Sequence, residues 1–161
     1  MNLPPITSNF LSLETLNIST NYKNLERILK NTSPFSGLFD NNEVSMYASE
    51  KGIRLVGHHE TGTQIRNYES QLDSAFAYCK ANGIRVVKTG YVNDGSQNIK
   101  RIDDNGTVYK EWHHGQYMVE HFRKVLETAS KYEVSIVVHE PIKDTGLRRT
   151  YPNMLSREGA R

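Results

Sequence analysis

Three observations in the sequence predict an α/β fold built on a parallel sheet. Strand-length apolar runs alternate with longer segments whose apolar residues recur at helical spacing, giving the order strand, helix, strand, helix, strand. The runs GIRLVGHHE, IRVVKTGYV and VSIVVHE are near-continuous in Val, Ile and Leu, the mark of strands buried on both faces under helices. All three also end in polar groups. These are parallel β/α units of either an open doubly wound sheet or a (β/α)8 barrel, and no glycine-rich turn follows any strand, which weakens a nucleotide-binding sheet.

Taken in order, residues 1–41 form an N-terminal segment in which Tyr22, Leu25, Ile28 and Leu29 recur at helical spacing, so a first helix of the barrel part falls there. Residues 42–161 carry the β/α units. Asn42 to Lys51 reads as a short helix stopped by Gly52, and the first strand run follows it. Arg66 to Ala81 places Tyr68, Leu72, Ala75, Phe76 and Cys79 on one face, with Asn82-Gly83 closing the helix before the second strand. Asn93 to Thr107 is a polar loop with turn signals at Asp94-Gly95 and Asn105-Gly106. Trp112 to Tyr132 sets Met118, Phe122, Val125, Leu126, Ala129 and Tyr132 on one stripe, and the third strand comes next.

At 161 residues the chain has the size of one domain or a piece of one, enough to bury a real core. Its net charge of +2 comes without any run of like charges, which argues against a nucleic-acid footprint or a polybasic membrane patch. No apolar run approaches membrane-spanning length, so no membrane insertion is expected. The opening MNLPPITSNFLSLETLNIST lacks a basic start and an apolar core and is not expected to be a signal peptide. Cys79, alone in the chain and on an apolar helix face, reads as a buried structural thiol.

Chemistry is expected at the strand ends. The first strand ends in His58, His59 and Glu60, the second carries Lys88 before Thr89-Gly90-Tyr91, and the third ends in His139 and Glu140. In parallel α/β folds the C-terminal strand ends form one rim, where ligands bind. Each residue also has a duller reading. A histidine can donate to a neighbouring carbonyl, Glu140 can pair with Arg148 or Arg149, Lys88 can reach solvent, and His113-His114 can be surface or first-turn material. Two carboxylates on one rim suit a hard cation or paired acid and base chemistry, whereas His58, His59 and His139 would suit zinc. Glycoside hydrolysis and zinc-dependent hydrolysis both stay open on these residues, although the first strand lacks an HxH pair.

Four stretches are more specific: GHHETGTQIRNYE (Gly57 to Glu69), VKTGYVND (Val87 to Asp94), HHGQYMVEHF (His113 to Phe122) and HEPIKDTGLRRTYPNMLSREGAR (His139 to Arg161). Together they resemble the catalytic barrel of glycoside hydrolase family 97, α-glucosidases and α-galactosidases, over about Asn42 to Arg161. The resemblance implies a partial (β/α)8 barrel acting on terminal α-glucosidic bonds of oligosaccharides. It also implies a branch. Retaining members place a nucleophilic aspartate where this chain has Gly90 and a glycine where it has Glu140, so KTGYV and HEP look like the inverting branch. There the glutamates matching Glu60 and Glu140 activate water, those matching Glu140 and Glu158 bind calcium, and the positions matching His58, Lys88 and His139 hold the sugar. The general acid is implied to be a glutamate a few residues beyond Arg161, with further barrel strands and an amino-terminal β-sandwich also outside this chain. Two alternatives accompany this expectation: a non-catalytic barrel fragment, and a retaining α-galactosidase of the same family. The resemblance implies a periplasmic or extracytoplasmic location for full-length members.

Overall fold

The computed structural model describes residues 16–17, 41–91 and 99–159. In chain order the elements are β1 (Leu16–Asn17), α1 (Asn41–Glu50), β2 (Val56–Glu60), α2 (Ile65–Glu69), α3 (Leu72–Ala81), β3 (Val86–Gly90), β4 (Ile99–Ile102), β5 (Val108–Glu111), α4 (Gln116–Lys131), β6 (Ser135–His139), α5 (Leu147–Thr150) and β7 (Met154–Glu158). Five strands form one parallel sheet in the order β1-β2-β3-β6-β7, and β4 and β5 pair as a separate antiparallel hairpin. The mixed α/β class with a parallel sheet is as expected. The helix expected over Tyr22 to Leu29 lies outside the described residues.

Burial along the strands alternates, which corrects the expectation of strands covered on both faces. Val87 in β3 and Ile136 and Val138 in β6 are fully buried, while Val86, Lys88, Val137 and His139 between them are half-buried. The buried face joins Tyr68, Leu72, Phe76 and Cys79 of α2 and α3 and Met118, Phe122, Val125, Leu126 and Ala129 of α4 in one core cluster. Each large side chain buried there contributes roughly 1.5–3 kcal/mol relative to exposure. Valines on the other face serve a half-buried polar surface, and a Val run alone does not tell the two situations apart.

Four differences from the expected elements have local causes. The helix over Arg66 to Ala81 is broken at Ser70-Gln71, where the Asn67 carbonyl accepts from Ser70 Oγ (2.8 Å) and Gln71 Nε2 (3.1 Å) and the Gln71 N–H turns to Tyr68 O (3.0 Å). The long helix starts at Gln116 rather than Trp112, because Gly115 N–H closes a turn on Trp112 O (2.8 Å) with extended backbone at Gly115. Part of the expected polar loop is the β4–β5 hairpin: Asp103 Oδ1 accepts from Asn105 N (2.9 Å) and Thr107 N (2.8 Å), making the turn, while Ile99 is buried. Arg66 Nη1 ties that hairpin to α2 through Ile102 O (3.0 Å) and Asp103 O (2.9 Å). Finally β7 adds an unforeseen strand beside β6, with a register shift between Ile136 and Val137: Ile136 pairs with Met154, but Val137 pairs with Ser156.

Candidate active site

Register places the polar side chains. His58 pairs with Lys88, Lys88 with Val137, and Val137 with Ser156; two residues on from His58, Glu60 pairs with Gly90, and two residues on from Val137, His139 pairs with Glu158. Neighbours in register on parallel strands point to the same face, so His58, Lys88, Glu60, His139 and Glu158 occupy two adjacent rows at the strand ends. These rows lie on the half-buried face, opposite the helices.

Glu60 is anchored by Gly62 N–H, which donates to Oε1 (2.9 Å), and its side chain is 13% exposed. Oε2 faces His58 Nε2 at 3.9 Å. That oxygen fills the space a side chain at residue 90 would need: a Cβ there would lie 2.1 Å from Glu60 Oε2 and 3.0 Å from His58 Nε2. Glu140 approaches from the other side, with Oε2 accepting from Tyr91 N–H (2.5 Å) and facing His139 Nδ1 at 3.7 Å. Two carboxylates thus flank Gly90, one over it and one on the next amide.

The second row is held by charge. Lys88 Nζ sits 2.6 Å from Glu158 Oε2, and His139 Nε2 lies 3.6 Å from Glu158 Oε1. The hydrogen bond from Lys88, with help from His139, holds the Glu158 carboxyl below its usual range although Glu158 is the most exposed of the group. Burial lowers the pKa of His58, against the pull of Glu60, so its imidazole is neutral near pH 7. His58 Nε2 is buried and has no hydrogen-bond partner among the described residues.

The duller readings sort themselves by partner. Arg148 is held by Asp144 (2.8 Å), not by Glu140. Lys88 ends on Glu158 rather than in solvent. His59 points to the helix face, where it is 3% exposed, bonded to Tyr68 Oη (3.0 Å) and 3.6 Å from Cys79 Sγ. It therefore sits on the opposite face from His58 and His139, which removes the three-histidine zinc arrangement. Cys79 is the buried thiol expected, and burial pushes its pKa up to about 12. His113 corrects the surface reading: it is 1% exposed, and its Nε2–H donates to Glu140 O (2.7 Å). Two histidines before a helix carry no sign of which one turns inward, and Tyr91, fully buried with its N–H on Glu140, gave no signal beyond lying after Gly90.

The donors offered to a metal ion are hard oxygens, Glu140 and Glu158, on either side of the His139 ring. That chemistry suits calcium, which takes six to eight oxygen ligands. Among the described residues no group of three His, Cys, Asp or Glu side chains converges as a metal set, so this chain would supply part of such a shell.

A parallel α/β sheet whose strand ends gather carboxylates, imidazoles and an ammonium offers charged and hydrogen-bonding groups at its C-terminal rim, where ligands bind in such folds. The Glycoside hydrolase 97 family model matches residues 14–160, and the chain belongs to glycoside hydrolase family 97. Three solved structures of a family 97 enzyme from Pseudoalteromonas sp. strain K8 are similar to it: an arginine-to-lysine variant, a glutamate-to-glutamine variant in complex with panose, and the enzyme in complex with acarbose. Each is 51% identical with a TM-score of 0.71, and each match covers 76% of this chain and 18% of that one. The chain thus spans less than a fifth of the length of those structures. Those enzymes bind oligosaccharides, and among the described residues no helix is long and apolar enough to cross a membrane.

Proposed function

We propose that this chain carries the water-activating part of the active site of an inverting, exo-acting α-glucosidase, with its parallel sheet forming part of a (β/α)8 barrel. The observation that carries this reading is the placement of two carboxylates about Gly90. Glu60 Oε2 occupies the space where a side chain at residue 90 would stand, and Glu140 accepts the next amide N–H. A nucleophile at position 90 has no room beside Glu60 in this arrangement.

In this mechanism a water is held by Glu60 and Glu140, and one of them accepts its proton as the water oxygen bonds to the anomeric carbon. The bond from that carbon to the leaving oxygen breaks from the opposite face, its electron pair staying on the oxygen. A general acid beyond Arg161 protonates that oxygen. Inverting enzymes hold acid and base roughly 6.5–9.5 Å apart to leave room for this water. His58, neutral and with Nε2 unpartnered among the described residues, offers a hydrogen bond to a sugar hydroxyl. Lys88 and His139 add a cationic donor and a second imidazole beside it. Calcium held by Glu140 and Glu158 would supply positive charge that favours ionised Glu140.

The test follows the anomer first released from an aryl α-glucoside by NMR, using the full-length protein. β-Glucose is expected; initial α-glucose would overturn the inverting assignment and point to a retaining route. Glu60→Gln and Glu140→Gln are each expected to lower kcat by at least about 100-fold, within the range spanned by general base catalysis. Full activity in either removes that residue from the mechanism.

A further inference from the structure

Glu140 has φ +46°, in the left-handed region that a non-glycine residue seldom adopts and that persists where the surroundings over-determine it. Here they do. Its N–H donates to Glu158 O (3.0 Å), its carbonyl accepts from His113 Nε2–H (2.7 Å), and its Oε2 accepts from Tyr91 N–H (2.5 Å). The Tyr91 amide is itself anchored, because the ring is fully buried and its hydroxyl meets His121 Nε2 at 2.9 Å.

His113 is the side chain in this set whose presence packing alone does not explain. Its ring lies edge-on to Tyr91 (6.2 Å between centroids) and Phe122 (6.1 Å), a setting that a phenylalanine would fill. With Nε2 donating, Nδ1 is an acceptor, and it is buried with no hydrogen-bond partner among the described residues. A buried, unpaired nitrogen is unfavourable, so a residue chosen for stability would be apolar. What the imidazole adds is the Nε2–H on Glu140.

We propose that His113 is a positioning residue: its hydrogen bond to the Glu140 carbonyl holds that residue in the left-handed conformation that aims its carboxylate at the site. The inference rests on the reading of Glu140 as a water-activating group. It is tested in the full-length protein with an aryl α-glucoside. His113→Phe keeps the ring and loses the donor; kcat is expected to fall roughly 10- to 100-fold while KM stays within about twofold and the melting temperature does not drop. His113→Gln, whose amide nitrogen reaches the position of Nε2, is expected to recover most of the loss. A crystal structure of His113→Phe is expected to show residue 140 out of the left-handed region.

Normal kcat in His113→Phe beside an inactive Glu140→Gln overturns the positioning role and leaves Glu140 in place. A loss that His113→Gln does not recover shows that a donor at this position is not what was lost, and overturns it too. An active Glu140→Gln overturns the role of Glu140 instead, and then φ near +46° retained in the His113→Phe crystal rejects the positioning independently of any rate. Should His113→Phe not fold, His113→Asn, whose amide stops short of the carbonyl, carries the same comparisons.

Discussion

Gly90 shows how narrow the tolerance of this rim is. A methyl group there would fall 2.1 Å from Glu60 Oε2, well inside any contact distance, so Gly90→Ala forces Glu60 off the Gly62 amide. Because relieving that contact moves the base by about 1 Å or more, and a misplacement of about 1 Å can cost roughly 100-fold in rate, kcat is expected to fall roughly 100-fold with little change in melting temperature. Steady-state kinetics beside a thermal melt checks it, and an active variant would show that Glu60 is free to leave without consequence. Glu158 makes a second residue-level case. Held ionised chiefly by the Lys88 hydrogen bond, it presents a formal charge at the sheet edge. Glu158→Gln is expected to weaken calcium binding by the full-length protein, read by calorimetry; unchanged affinity takes Glu158 out of the ligand set.

At the level of elements, the core stripe on α2, α3 and α4 is the most strongly determined part of the fold. Leu72→Ala, at a fully buried position, is expected to destabilise by about 2–5 kcal/mol in denaturant titration, a cavity effect. A smaller loss would mean that the site collapses around the hole. The same stripe is why those helices and the three central strands were legible: Tyr68, Leu72, Phe76 and Cys79 follow one another at intervals of three or four residues because one surface buries them all. The break at Ser70-Gln71 was not, since it depends on side chains taking the Asn67 carbonyl rather than on apolar spacing. Nor were β4, β5 and β7 legible, for IKRI, VYKE and MLSRE each hold few buried residues and pair largely through backbone groups. In the site, the strand-end residues could be read because polar groups closing apolar runs stand out. His113 and Tyr91 could not, because what distinguishes them is a contact with Glu140 across 27 and 49 residues of chain.

Taken as a whole, the described part of the molecule buries three histidines, His59, His113 and His121, and burial of this kind contributes to its response to acid. Burial, with His58 alongside, lowers the pKa of His59 from 6.5 to about 4, and burial also lowers that of His121 against the pull of Glu69. A histidine that binds its proton more readily unfolded than folded gives stability that is full above about pH 6.5 and declines as pH falls towards 4, for His59 on the order of 3 kcal/mol. Melting temperature is therefore expected to fall steadily across that window, and less steeply in His59→Gln; parallel curves for the two proteins would remove His59 as a source. The sheet as a whole also depends on a count. Were β7 to continue in the register of Ile136 with Met154, Arg157 would stand opposite His139 and Glu158 would lie beyond it. The single extra residue at the shift reverses the parity, sending Arg157 to the Ile142 carbonyl (2.8 Å) and bringing Glu158 beside Lys88. The sign of the charge at this edge of the rim is thus decided by whether the chain counts odd or even between two strands.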